Sequence, residues 1–140
     1  MYFAGQGVPQ NYEKAVEWYT QAAEQGDAVA QNNLGLMHIR GLGVLRDYNK
    51  AFGWFEKAAW QGSGEAQQHL ALMYHKGLGT GQDRTAAYIW CKLAGEQDPK
   101  YLVNFNEIAA MLTEDEIPRA EGIYKQRKEE IRLRREQAKQ

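Results

Sequence analysis

Tryptophan recurs at Trp18, Trp54 and Trp90, 36 residues apart each time, and most of the neighbouring sequence recurs in the same register. Gly5-Gln6-Gly7-Val8 returns as Gly41-Leu42-Gly43-Val44 and again as Gly77-Leu78-Gly79-Thr80. Asn11, Asp47 and Asp83 share one register; Ala15, Ala51 and Ala87 share a second, and Ala22, Ala58 and Ala94 a third. A fixed period of roughly 20 to 50 residues marks stacked supersecondary units, each unable to bury its apolar face alone. In such a stack the functional surface runs along the units rather than into one catalytic cleft.

Each unit reads as two helices. Ala30, Leu34, Met37 and His38 fall at the three-and-four spacing of one apolar face, which predicts a first helix over 27–40. Gly26 ends the preceding helix, and Asp27 caps the new one by accepting from the unpaired amides of its first turn. Gly41 and Gly43 then stop it by admitting backbone angles closed to other residues. Asp47 caps a second helix with Ala51, Trp54, Phe55, Ala58 and Ala59 on its buried side, and Gly62 ends it. The same signals place the next pair over 63–76 and 83–96. The alanines let antiparallel helices approach closely, while Trp, Leu and Tyr are expected to fill the space between layers.

The run Ala30…Leu34-Gly35…Gly41-x-Gly43-Val44…Asp47-x-x-Lys50-Ala51-x-x-Trp54-Phe55-x-x-Ala58-Ala59-x-x-Gly62 resembles the Sel1-like repeat family, a branch of the tetratricopeptide-like α-solenoids. Ala66, Leu70, Tyr74, Gly77, Gly79, Asp83, Ala87, Trp90 and Ala94 carry the match through the next unit. The resemblance covers about residues 1–98 and implies an all-α fold, a right-handed α/α superhelical solenoid of helix-turn-helix repeats with a C-terminal capping helix. The array then occupies 1–112: a partial repeat over 1–26, repeats over 27–62 and 63–98, and a degenerate helix over 99–112. In the degenerate part Asp98-Pro99 replaces the terminal glycine, Gly95 stands where other units have alanine, and Asn106-Glu107 replaces the Leu-Gly pair. Such decay suits an end unit with no following neighbour. Thr113-x-x-Glu116 reads as a capping box that opens a basic capping helix over 113–140. Ile117, Tyr124 and Ile131, seven apart, form the stripe expected to meet the array.

At the other end Met1-Tyr2-Phe3-Ala4 aligns with Met37-His38-Ile39-Arg40, so the sequence starts inside a repeat and leaves the helix over 11–25 without its partner. Either the array is a piece of a longer one, the preferred reading, or another molecule covers that edge; both predict self-association through the incomplete repeat. The net charge of −1 gives no global pull toward nucleic acid or anionic lipid. No apolar run approaches the ~20 residues of a membrane-spanning helix. Met1-Tyr2-Phe3-Ala4-Gly5 also lacks a signal peptide's basic start and apolar run. A soluble chain is expected, cytoplasmic, or periplasmic if a signal precedes this sequence.

Motifs that carry chemistry are sparse. The Gly-x-Gly loops follow helices, recur three times and lack the lysine of a phosphate loop, so they read as turns. His38 takes the register of Tyr2 and Tyr74 and reads as a packed aromatic substitute; His69 and His75 are six apart and do not share a helix face. With no thiol or carboxylate completing a ligand set, no metal is expected. Cys91, the single cysteine, aligns with Tyr19 and Phe55 and reads as a small buried apolar residue. No base can be argued to lie beside it, no Ser-x-x-Lys arrangement is present, and neither an enzyme nor a cofactor is expected. The final helix gathers Arg119, Lys125, Arg127, Lys128, Arg132, Arg134, Arg135 and Lys139. It reads as a solvated face, with a basic patch for nucleic acid or an acidic surface as the alternative.

The resemblance places the first helix of each unit on the inner, concave surface. The residues expected there are Val29, Asn32, Leu36, Ile39 and Arg40 in one unit, Glu65, Gln68, Leu72, His75 and Lys76 in the next, and Tyr101 and Asn104 in the degenerate one. Amides, a few apolar anchors and charges of both signs suit a peptide or protein segment better than a lipid or a polyanion. The resemblance thus implies a non-catalytic protein–protein interaction module, an adaptor in a bacterial envelope, secretion, immunity or host-contact pathway.

Overall fold

The computed structural model describes residues 10–102 and 104–139. Among them the chain forms α1 (Gln10–Glu24), α2 (Ala28–Arg40), α3 (Tyr48–Trp60), α4 (Gly64–Lys76), α5 (Arg84–Gln97), a 3-10 turn (Pro99–Leu102), α6 (Phe105–Ala110) and α7 (Glu116–Ala138), and no strand. Successive antiparallel helices stack into an α-solenoid, α2 on α3 and α4 on α5. The helix starts follow the capping signals. Asp27, Asp47 and Asp83 each accept from the amide three residues on at 3.0 Å, and Ser63 does so at 3.2 Å. The Thr113–Glu116 box is reciprocal: Glu116 N donates to the Thr113 hydroxyl, and Thr113 N to the Glu116 carboxylate.

Small residues set the repeat-to-repeat spacing. Gly43 has φ +73°, and a Cβ placed there would stand 2.5 Å from the Tyr12 carbonyl oxygen; Gly79, at φ +72°, meets the Tyr48 carbonyl in the same way. Gly43 and Gly79 are therefore each required twice, by a left-handed backbone and by contact with the previous unit. The core is built on Ala51, Phe55, Ala58, Ala59, Leu70, Ala87, Ile89 and Trp90, with a second cluster around Ala23, Ala30, Leu34 and Met37. Leu102 occupies the space left by the missing side chain of Gly95, which explains that departure from the repeat.

A ladder of glutamines threads this alanine-rich interior. Gln31 Nε2 donates to the Ala23 carbonyl at 3.0 Å, and Gln61 Nε2 donates to Gln31 Oε1 at 2.8 Å. One period later Gln67 donates to the Ala59 carbonyl at 3.1 Å and accepts from Gln97 at 3.0 Å, and Gln97 also donates to the Gly62 carbonyl at 2.7 Å. Gln31 and Gln67 are 3% and 1% exposed, so these bonds satisfy amides that burial would otherwise penalise.

Two expectations change. The degenerate helix over 99–112 is a 3-10 turn that opens at Pro99, whose ring suits a first turn, followed by a separate six-residue α6 that starts anew after Asn104. The repeat tryptophans do not share one environment: Trp18 is 77% exposed and Trp90 only 2%. Trp90 is covered by Trp60 of the preceding unit and by α7, whereas Trp18 lies on the edge helix. The initial residues 1–9, including the aligned Met1-Tyr2-Phe3-Ala4, fall outside the described residues.

Candidate protein-interaction face

The first helices α2 and α4, continued by the 99–110 segment, carry the residues expected to recognise a partner. Val29, Arg40, Glu65 and Lys76 are exposed. Leu36, Ile39, Gln68, Leu72, His75, Tyr101 and Asn104 are half-buried, and Leu36 and Ile39 also pack against the core. The expectation of an exposed Asn32 is corrected. It is 3% exposed, because His69 of the next unit lies over it and donates from Nδ1 to Asn32 Oδ1 at 3.1 Å. His69 in turn lies against the Phe55 ring, centroids 4.8 Å apart, and burial holds its imidazole below the usual pKa. His75 approaches Glu107 at 3.5 Å, and His38 is buried where Tyr74 stands one unit later. The three histidines therefore serve three separate packing environments.

Four of the expected residues come together. Gln68, Leu72, Tyr101 and Asn104 line a depression of about 230 Å³ between α4 and the 99–110 segment, with Ala71, Cys91 and Ile108 as its apolar floor and His69 at its side. Asn104 heads α6 without using its side chain to cap the helix. Burial pushes the Cys91 thiol up to about 11, so the floor is neutral at physiological pH. Among the described residues no group of His, Cys, Asp and Glu is placed to hold a metal ion. No helix is long and apolar enough to cross a membrane.

The final helix differs from a simple solvated face. Ala120, Tyr124 and Ile131 are buried against the array, and Ile117 packs beside them. Glu121 accepts from the Tyr88 hydroxyl at 2.6 Å and from Lys92 at 2.5 Å, which holds its carboxyl below the usual range. The Arg127 guanidinium lies 5.1 Å from the Trp60 ring and 5.0 Å from the Trp90 ring, and Arg134 lies 4.4 Å over Trp60. Lys128 reaches Glu96 at 3.3 Å, and Arg132 is held by Glu129 and Glu136 at 2.6 Å each. Half of the eight basic side chains are thus engaged within the molecule. The sequence signal for this was Trp60, the one tryptophan outside the 36-residue register.

Capped helical pairs stacked through small residues define an α-solenoid repeat protein. The Sel1 repeat family profile matches residues 1–27, 28–63 and 64–99, and the chain belongs to that family. Sel1 repeat proteins are in general non-catalytic scaffolds for protein–protein interaction. The crystal structure of a protective antigen present in uropathogenic Escherichia coli strains, displaying an SLR fold, superposes with TM-score 0.88 at 35% identity. That match covers 93% of this chain and 28% of the antigen's. A Sel1 repeat protein from Oxalobacter formigenes superposes with TM-score 0.68 at 36% identity, over 74% of this chain and 43% of that one. The chain thus spans less than half the length of either relative. No curated protein gives a significant match.

Proposed function

We propose that this chain is a non-catalytic adaptor that binds a peptide or protein segment along its concave face, formed by α2, α4 and the 99–110 segment. The array over 1–112 carries recognition, and the helix over 113–140 caps it. The observation that carries this reading is the depression of about 230 Å³ that gathers Gln68, Leu72, Tyr101 and Asn104. A concave site with apolar floor and a few polar groups is the usual form of a recognition site. A bacterial envelope, secretion, immunity or host-contact pathway is the setting, supported by the likeness to an antigen of uropathogenic bacteria. Binding of nucleic acid by α7 is the alternative, weakened by the stacking of Arg127 and Arg134 on Trp60. The 77% exposure of Trp18 supports self-association at the α1 edge, readable as a concentration-dependent mass by light scattering.

The test is affinity capture from a bacterial extract at low and moderate salt, with native chain and an Arg40→Ala/Gln68→Ala/Lys76→Ala variant as baits. Asn32 is left intact, since its loss would unpair His69. A protein held by the native bait at both salts and lost from the variant is the expected result. Recovery only of salt-labile polyanions, equally by both baits, refutes the reading.

A further inference from the structure

The depression lies beside a position where one repeat lacks the ring that its predecessor has. Phe55 and Cys91 are equivalent positions, as are Gly35 and Ala71. In the earlier unit the Phe55 ring fills the interior so completely that a Cβ on Gly35 would stand 2.7 Å from it. In the later unit Cys91 has no ring, and Ala71 returns only one methyl to the space. What remains, about 230 Å³, opens between α4 and the 99–110 segment. An apolar cavity of roughly 150 Å³ is already enough to hold benzene.

We propose that this depression is an anchor pocket for the side chain of a phenylalanine in the bound peptide, whose ring takes the place that Phe55 fills from within the chain one unit earlier. The inference rests on the peptide-binding reading above and narrows it to one anchor. The chemistry of the walls agrees. Half-buried Leu72 gives the depression its apolar surface, above the buried Ala71, Cys91 and Ile108, with no carboxylate or ammonium among the lining residues to favour a charged anchor. Gln68 and Asn104 at the sides have amides that both donate and accept, which suits the backbone of an extended segment entering over the ring. Tyr101, whose carbonyl accepts from the Cys91 thiol at 3.7 Å, closes the depression on the side of the 3-10 turn.

The test uses the full chain and three acetylated, amidated pentapeptides, Gly-Gly-Xaa-Gly-Gly with Phe, Ala or Lys at the centre, followed by methyl NMR. The Phe probe is expected to shift the Ala71, Leu72 and Ile108 methyl signals saturably, at about tenfold or more lower concentration than the Ala probe. A Cys91→Phe/Ala71→Gly variant rebuilds the filled arrangement of the earlier unit and is expected to fold and to lose those shifts. Equal response to the Phe and Ala probes, or Phe shifts that persist in the folded filled variant, overturns the proposal. Should the double variant fail to fold, Cys91→Leu fills part of the same space, and its Phe preference must drop. Failure of the wider reading is distinguishable. A captured partner that is lost from the Arg40/Gln68/Lys76 variant yet retained by the filled variant removes the anchor pocket and leaves the groove.

Discussion

Truncating Gln67 should cost far more than truncating Gln68 beside it, although both are glutamines on α4. Gln67 is 1% exposed, donates to the Ala59 carbonyl and accepts from Gln97, while Gln68 is half-buried at the open face. Gln67→Ala removes two buried hydrogen bonds, each worth about 0.5–1.5 kcal/mol net. Beyond the amide it also removes one methylene group's worth of packing, about 0.8 kcal/mol. Both abandoned partners keep a second bond: Gly62 N still donates to the Ala59 carbonyl, and Gln97 still reaches the Gly62 carbonyl. The loss therefore lies toward the lower part of the sum, about 2–3 kcal/mol. For a chain of this size that is a fall in Tm of about 5–10 °C. Urea and thermal unfolding followed by circular dichroism, with Gln68→Ala as the paired control, reads the difference. A Gln67→Ala midpoint indistinguishable from that of Gln68→Ala would refute the claim that the glutamine ladder stabilises the interior.

Gly79→Ala is expected to destabilise by at least about 1–2 kcal/mol from its φ of +72° and its collision with the Tyr48 carbonyl. Gly53→Ala, in α3 with open space around it, is expected to stabilise by about 0.5–1 kcal/mol in the same unfolding assay. Glu121, held below the usual carboxylate range by Lys92 and Tyr88, contributes stability that is complete above the unfolded carboxylate pKa of about 4.3 and is lost as pH falls through the lower folded value. Acid titration of tryptophan fluorescence should therefore show α7 leaving Trp60 and Trp90 below about pH 4, and Glu121→Gln should weaken its docking already at pH 7. Cys91, its thiol raised to about 11 by burial, should resist a disulfide reagent at pH 8 in the native protein and react within minutes in urea.

The sequence was most informative where structure is local. Asp27, Asp47, Ser63 and Asp83 announced the helix starts, and the Thr113–Glu116 box announced the last helix, because capping depends on residues three apart. It was least informative where units meet. Asn32 reads as a groove residue by type and register, yet His69, 37 positions on, lies over it. Arg127 reads as one more solvated charge until the path of α7 brings it between Trp60 and Trp90. The depression is an intermediate case: the equivalence of Cys91 with Phe55 was visible, but a void is a difference of volumes that alignment alone does not add up. Gln31 and Gln67, like Gln61 and Gln97, recur with the period, but glutamine reads by default as a surface residue, so their burial is not legible from type.

The position of α7 also has a mechanical side. By seating Arg127 between Trp60 of one repeat and Trp90 of the next, the helix acts as a splint across the joint between them. A solenoid bends chiefly by small rotations between successive units, and this joint is the one that sets how wide the face between α2 and α4 stands. Among the described residues no helix braces α1 and α2 in that manner. Prying α2 from α4 would therefore have to draw Arg127 off one of its two rings before the repeats could part.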